Sequence, residues 1–210
     1  MFSMFSPDSK IMQVLARFAD LVILNGLYLI TCIPVFTIGA ANTALYNVCF
    51  RMLREEGGVV KPYFRAFREN FKQSTPVWLL FLLLLAASYG NIMIFSDLGG
   101  MLGHSLFVLS VIILVNCMLV LGYAFPLISQ FENTTGNTLK NALLLSIAHL
   151  PRSLIMAVIN CFPWMLMIMN LYAFIQFSFI WFALYFAAAA YFNSRVLMHI
   201  FKPLKEAASK

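Results

Sequence analysis

Residues Ser153–Ser194 read SLIMAVINCFPWMLMIMNLYAFIQFSFIWFALYFAAAAYFNS, a run without one charged side chain. Such a run cannot coat a soluble domain with water. It is also too long for a single membrane crossing, which needs about 20 apolar residues, and it suits two. Its most polar stretch, Asn170 to Gln176, sits near the middle and marks the expected turn. The rest of the chain repeats the pattern. Val77–Ser96 is a clean apolar span, and Ser105–Leu127 is another. Across all 210 residues, 62% are hydrophobic and 10% charged, with a mean hydropathy of +0.87. Soluble domains carry about 25% charged residues. The composition therefore predicts an all-α, polytopic transmembrane helical bundle, formed by residues 1–210 as one integral membrane domain. It leaves no room for a large soluble domain.

The N-terminal third is less regular. Leu21–Phe50 is free of charge but is interrupted by Pro34, and a proline disfavours helix both at itself and at the residue before it. The segment reads as two helices, about 11–32 and 37–54. The second is semi-polar, with Asn42, Thr43 and Asn47, and should be covered by protein or line a cavity. The remaining spans are expected at about 77–96, 105–127, 153–170 and 175–194.

Charge decides the orientation. Arg51, Arg54, Lys61, Arg65, Arg68 and Lys72 fall in one loop, which the positive-inside tendency places in the cytoplasm. The loop around Asp97–His104 has no Lys or Arg and is expected outside. Lys140 and Arg152 return inside, the turn near Asn170 lies outside, and Arg195, Lys202, Lys205 and Lys210 are inside. Six spans put Lys10, Arg17 and both termini on the cytoplasmic side of a bacterial cytoplasmic membrane. Five spans, the alternative, would turn Lys10 and Arg17 outward. The first apolar segment reads as a retained anchor, because no small-residue cleavage site follows it.

Two amphipathic stretches flank spans. In Lys61–Gln73, KPYFRAFRENFKQ, the residues Phe64, Phe67 and Phe71 recur at spacings of three and four. Lys61, Arg65, Arg68 and Lys72 do the same beside them. On a helix these form adjacent aromatic and basic stripes, the pattern of an interfacial helix on a leaflet with anionic headgroups. Basic residues there are worth about 1 kcal/mol each. The same face could dock a cytoplasmic partner. The second stretch is Asn137–His149. Each ends in a proline, Pro76 or Pro151. The one offset that lays Pro76 on Pro151 superposes the two passages and the spans around them, which suggests a parallel internal repeat.

The stretches IPVFTIGAANTALYNVCFRMLREEGG (Ile33–Gly58) and YFRAFRENFKQSTPVWLL (Tyr63–Leu80) resemble the YesL family, small and largely uncharacterised membrane proteins of Gram-positive bacteria. The Pro34–Ala40 turn, Ala44–Tyr46, Ala66–Gln73 and Asn137–Pro151 carry the likeness. The resemblance implies relatives encoded beside carbohydrate ABC importers and glycan-degrading enzymes, and hence an accessory role in sugar uptake. Importer permeases also place a short cytoplasmic helix between spans, but their EAA-x3-G pattern is missing here.

Little else points to chemistry. Cys32, Cys49, Cys117 and Cys161 are isolated in apolar runs, and His104, His149 and His199 are far apart in sequence. No HExxH, GxSxG or Walker motif occurs, so the sequence predicts neither an enzyme, a metal site nor a cofactor. No basic domain outside the membrane is present for nucleic acid. Asn25, Asn42, Asn47, Asn91, Asn116 and Asn160 lie in or near spans and are expected to bond across helices. Asp20 is expected to pair with Arg17, one helical turn away. Two functional expectations follow. One is a non-enzymatic accessory or regulatory subunit beside carbohydrate ABC importer components. The other is a small transporter or channel in its own right, working as a homo-oligomer.

Overall fold

The computed structural model describes residues 10–95 and 101–208; the loop expected around Asp97 and the end at Lys210 lie outside the described residues. The described chain is helical. α1 is Lys10–Cys32, a 3-10 turn covers Val35–Thr37, α2 is Ile38–Leu53, α3 is Val60–Phe95 and α4 is Met101–Gln130. Then come α5 (Thr135–Ala148), α6 (Leu150–Met169), α7 (Leu171–Gln176), a single turn α8 (Ser178–Ile180), a π-helical turn at Trp181–Tyr185 and α9 (Phe186–Ala208). Among the described residues, four segments are long and apolar enough to cross a membrane: Ile11–Cys32, Val60–Ile94, Met101–Gln130 and Leu150–Met169. Their outer faces are apolar, with Leu83, Met101, Leu102 and Ile168 each at least 67% exposed. Lipid satisfies such a surface and water does not.

Charged groups of α1, the end of α2 and the loop after it, α4 and α9 gather at one end of the bundle. There Arg17 meets Glu55, Arg54 meets Gln130, and Lys205 also meets Gln130. Two of the six expected spans differ from expectation. α2 has 16 residues, about 24 Å by the usual helical rise, which is short of a hydrocarbon core of about 30 Å. The expected span at 175–194 is not one helix. Asn170 ends α6 and caps α7, its side chain accepting from Ala173 N at 3.0 Å, and the chain breaks again at Phe177 before the π turn.

α2 is the helix around which the bundle packs, and eleven of its residues are buried. Its small side chains explain this. Ala40, Ala41 and Ala44 are fully buried, and Gly39 lies directly against α3. A Cβ there would sit 2.5 Å from Ser74 O and 2.7 Å from Trp78 Cβ. Close approach through small residues is how helices associate without a hydrophobic drive between them. One turn on, Thr43 and Ser74 share a hydrogen bond of 2.8 Å, both fully buried. The preceding turn is set by Pro34 and Thr37, whose hydroxyl donates to Pro34 O at 2.6 Å and also to Thr31 O.

The expected interfacial helix at 61–73 is not a separate element. It is the first third of α3, a 36-residue helix that runs through Pro76. Proline forfeits one backbone bond and usually kinks or ends a helix. Here packing splints both sides of it: Tyr63 and Ala66 are buried before the proline, and Val77 and Phe81 after it. The second amphipathic stretch does form its own helix, α5. Thr134 caps it, accepting from Asn137 N, and it ends at His149.

Candidate functional site

The charged end of the bundle is built from the ends of α1, α2, α4 and α9 and the start of α3. Between α2 and α3 the loop turns on Gly58 (φ 86°) and on Glu55, held in the left-handed region at φ 62°. That turn brings two carboxylates back onto the helices. Glu55 pairs with Arg17 at 3.1 Å, and Glu56 pairs with Arg51 at 3.0 Å and Arg54 at 2.7 Å. Arg17 therefore does not pair with Asp20, as sequence proximity predicts. Asp20 is half-buried and makes no hydrogen bond or ion pair among the described residues. The reason is directional: Arg17 points outward along the exposed side of α1, while Asp20 lies toward the inner face that carries Leu24. Gln130 Oε1 collects Arg54 at 3.1 Å and Lys205 at 2.8 Å, and the Lys205 ammonium lies 5.7 Å from the Phe131 ring centroid. Burial, then the neighbouring Arg54, pull the Lys205 ammonium below its usual range; Glu56 pulls the other way.

On the start of α3, Lys61, Arg65, Arg68 and Lys72 are all exposed, as a solvated basic stripe requires. The aromatic stripe is divided. Phe64 is 42% exposed and edge-on to Tyr63, whereas Phe67 and Phe71 are half-buried with ring centroids 5.7 Å apart. Phe67 packs against the core. The three rings thus do not share one outward face, because the helix turns its Tyr63–Ala66 side onto α2.

A cleft of about 500 Å³ opens between α2 and α3, lined by Asn47, Arg51, Lys61, Pro62, Arg65, Ala66 and Glu69. Lys61 and Arg65 belong to the stripe visible in the sequence. Arg51 and Asn47 come from the other helix, and only the antiparallel packing of α2 on α3 joins them to it. Asn47 is anchored, its Nδ2 donating to Ser129 O of α4 at 3.2 Å.

A second cavity, about 460 Å³, lies deeper in the bundle, with Tyr28, Asn42, Tyr46, Trp78, Asn160 and Tyr185 among its walls. Its polar pole is Tyr46 and Asn160, joined through the fully buried Asn193, which donates to Asn160 Oδ1 at 2.9 Å and lies 3.4 Å from Tyr46 Oη. The six asparagines expected to bond across helices divide, and Asn91 makes no hydrogen bond among the described residues. Asn25, Asn47 and Asn160 bond across helices. Asn42 and Asn116 bond back to their own helix, at Ile38 O and Ile112 O, both at 2.9 Å. Asn25 is the most heavily bonded of them. Its Nδ2 donates to Phe182 O at 2.7 Å and Trp181 O at 3.3 Å, and its Oδ1 accepts from Ala187 N at 3.0 Å. A π turn leaves backbone groups without helical partners, and this buried side chain supplies them. No group of three or more metal-ligating side chains occurs among the described residues.

The fold is a helical bundle with membrane-spanning character and a charged end. The profile of a family described as a protein of unknown function, DUF624, matches residues 21–92, from α1 through nearly all of α3. This stretch includes the α2–α3 unit and its cleft. No curated protein and no solved structure matches the chain.

Proposed function

We propose that the chain is a non-enzymatic accessory or regulatory protein of a bacterial cytoplasmic membrane, associated with a carbohydrate ABC importer, and that the start of α3 is its docking surface. The observation that carries this reading is the overhang of α3. The helix is about 54 Å long against about 30 Å of hydrocarbon. Its first third holds the exposed Lys61, Arg65, Arg68 and Lys72, and the positive-inside tendency directs it to the cytoplasm. There a basic helical projection can meet an acidic face of an importer subunit. The likeness to the YesL family supports the choice of partner, and the DUF624 match covers this same region.

The test is a pull-down of the tagged protein from native membranes in mild detergent, with mass spectrometry. Importer permease or ATPase in stoichiometric amount is expected, and Arg68→Glu with Lys72→Glu should reduce it at least about tenfold, as like charges across an interface cost several kcal/mol. A protein that comes alone, or a variant that co-purifies equally, overturns the reading. A transporter in its own right is the second reading, favoured by the cavity at Tyr46 and Asn160 and by the exposed Asn116 near the middle of α4. Its test is solute flux into liposomes above the background of protein-free vesicles.

A further inference from the structure

We infer that the cleft between α2 and the start of α3 is a binding site for a phosphate group. Three cations, Arg51, Lys61 and Arg65, line it, against the single carboxylate of Glu69. Their charges are poorly answered by the protein. Arg51 is the best answered of the three, giving Nη1 to Glu56 at 3.0 Å, while its Nε is shut away from solvent with no acceptor among the described residues. Lys61 has neither an ion pair nor a hydrogen bond among the described residues. Arg65 reaches Glu69 only at 3.9 Å, with the two side chains 78% and 66% exposed. Such a pair contributes little. The first turn of α3 has no acidic residue either, so the positive end of the helix adds to the same field instead of being neutralised.

Three like charges held around one opening by two packed helices repel each other, and an anion turns that repulsion into attraction. The donor set suits phosphate. The Arg65 fork, the Lys61 ammonium and the Nη2 edge of Arg51 can together engage several oxygens of one tetrahedral group, where a carboxylate would occupy a single fork. The Asn47 Nδ2 is committed to Ser129 O, so the cations carry the recognition. A second, open concavity lies on the other side of Lys61 and Arg65, lined also by Val60, Phe64, Arg68 and Glu69. A phosphate held by Lys61 and Arg65 would leave a chain attached to it beside Val60 and Phe64, which are 45% and 42% exposed. A phospholipid headgroup has that shape, and a free phosphorylated solute shares its charge chemistry. Binding of this kind needs no importer partner.

Binding is measured on the full chain in neutral detergent, by native mass spectrometry and thermal shift. The probes are short-chain phosphatidylglycerol and inorganic phosphate. Wild type and a charge-matched control, Lys140→Gln with Lys202→Gln, should bind alike. Lys61→Gln should weaken binding about fivefold, and Arg51→Gln with Lys61→Gln more than about tenfold. Phosphatidylglycerol binding that millimolar inorganic phosphate does not displace assigns the cleft to a headgroup. Displacement, or binding of phosphate alone, assigns it to a free phosphoryl group. The inference is overturned if neither probe binds, if Lys61→Gln binds as wild type, or if the control weakens binding as much as the cleft variants. Should Arg51→Gln fail to fold, Lys61→Gln alone decides, since that ammonium holds no partner among the described residues.

Discussion

Two proline-bearing passages lead into apolar helices at matching positions of the suggested repeat: Lys61–Pro76 into the far part of α3, and Asn137–Pro151 into α6. Their element borders correspond closely, since α3 begins at Val60 and α5 at Thr135. Yet the first passage is one continuous helix and the second is two helices. The difference lies in what packs beside the proline. Around Pro76, α3 is held on α2 by the Gly39 contact and the Thr43–Ser74 bond, and on the 3-10 turn before α2 by the Trp78 indole, which donates to Val35 O at 2.8 Å. Around Pro151 the chain leaves the helix at His149 (φ −117°, ψ 40°), and Ser153 gathers the loose ends. Its hydroxyl bonds to Ser146 O at 2.8 Å, His149 O at 3.0 Å and Tyr123 Oη at 2.9 Å. One passage projects basic side chains from the bundle. The other lays α5 along it with Leu144 and Ile147 exposed, as an interfacial helix does.

The splint beside Pro76 should be the most sensitive element. Gly39→Leu would drive a side chain into the α3 backbone at Ser74, and neither helix can retreat without opening the core. A loss of more than about 4 kcal/mol is expected, in the range of severe core disruption. It should be read as loss of a monodisperse peak after detergent extraction and heating. A variant that elutes and melts like wild type would mean that α2 does not hold α3 at this point. The knot at Ser153 should come next. Ser153→Ala removes a fully buried hydroxyl and leaves Tyr123 Oη without that partner, for a cost of about 1–3 kcal/mol in detergent-based unfolding. If its melting is unchanged, the break at His149 is held by chain geometry alone.

The helical class is legible in the sequence because charge-free runs of span length admit few other folds, and the enclosure of α2 is legible in Asn42, Thr43 and Asn47 within an apolar segment. What fails is every inference that needs the identity of a distant neighbour. Pro76 and Pro151 look alike locally, and the contacts made beside each decide which passage is interrupted. Arg17 has Asp20 nearby in sequence but finds Glu55, 38 residues on. Asn25 clamps a π turn some 157 residues away, with no local signal that the turn exists. The cleft shows the same limit. Spacing along α3 groups Lys61 with Arg65, but Arg51 joins them only through the register that Gly39 sets between α2 and α3.

The two prolines themselves offer the mildest test, and the one that bears most directly on the comparison. If packing rather than proline sets the path of α3, then Pro76 is tolerated there at a cost, having removed one backbone bond from a helix that is continuous regardless. Pro76→Ala should restore that bond and raise stability by about 1 kcal/mol, less than the full proline penalty because the splint already offsets part of it. Pro151 stands differently. It is the second residue of α6, where a backbone N–H has no helical partner in any case. Pro151→Ala should therefore change stability by no more than about 0.5 kcal/mol and should not fuse α5 to α6, because Ser153 still engages the carbonyls of Ser146 and His149. Spin labels at exposed Lys140 and Leu154 report the angle between these helices. An unchanged distance distribution in Pro151→Ala is expected. A shift to the longer separation of one continuous helix would show that the proline, and not the serine, makes the break, and would remove the physical distinction between the two passages.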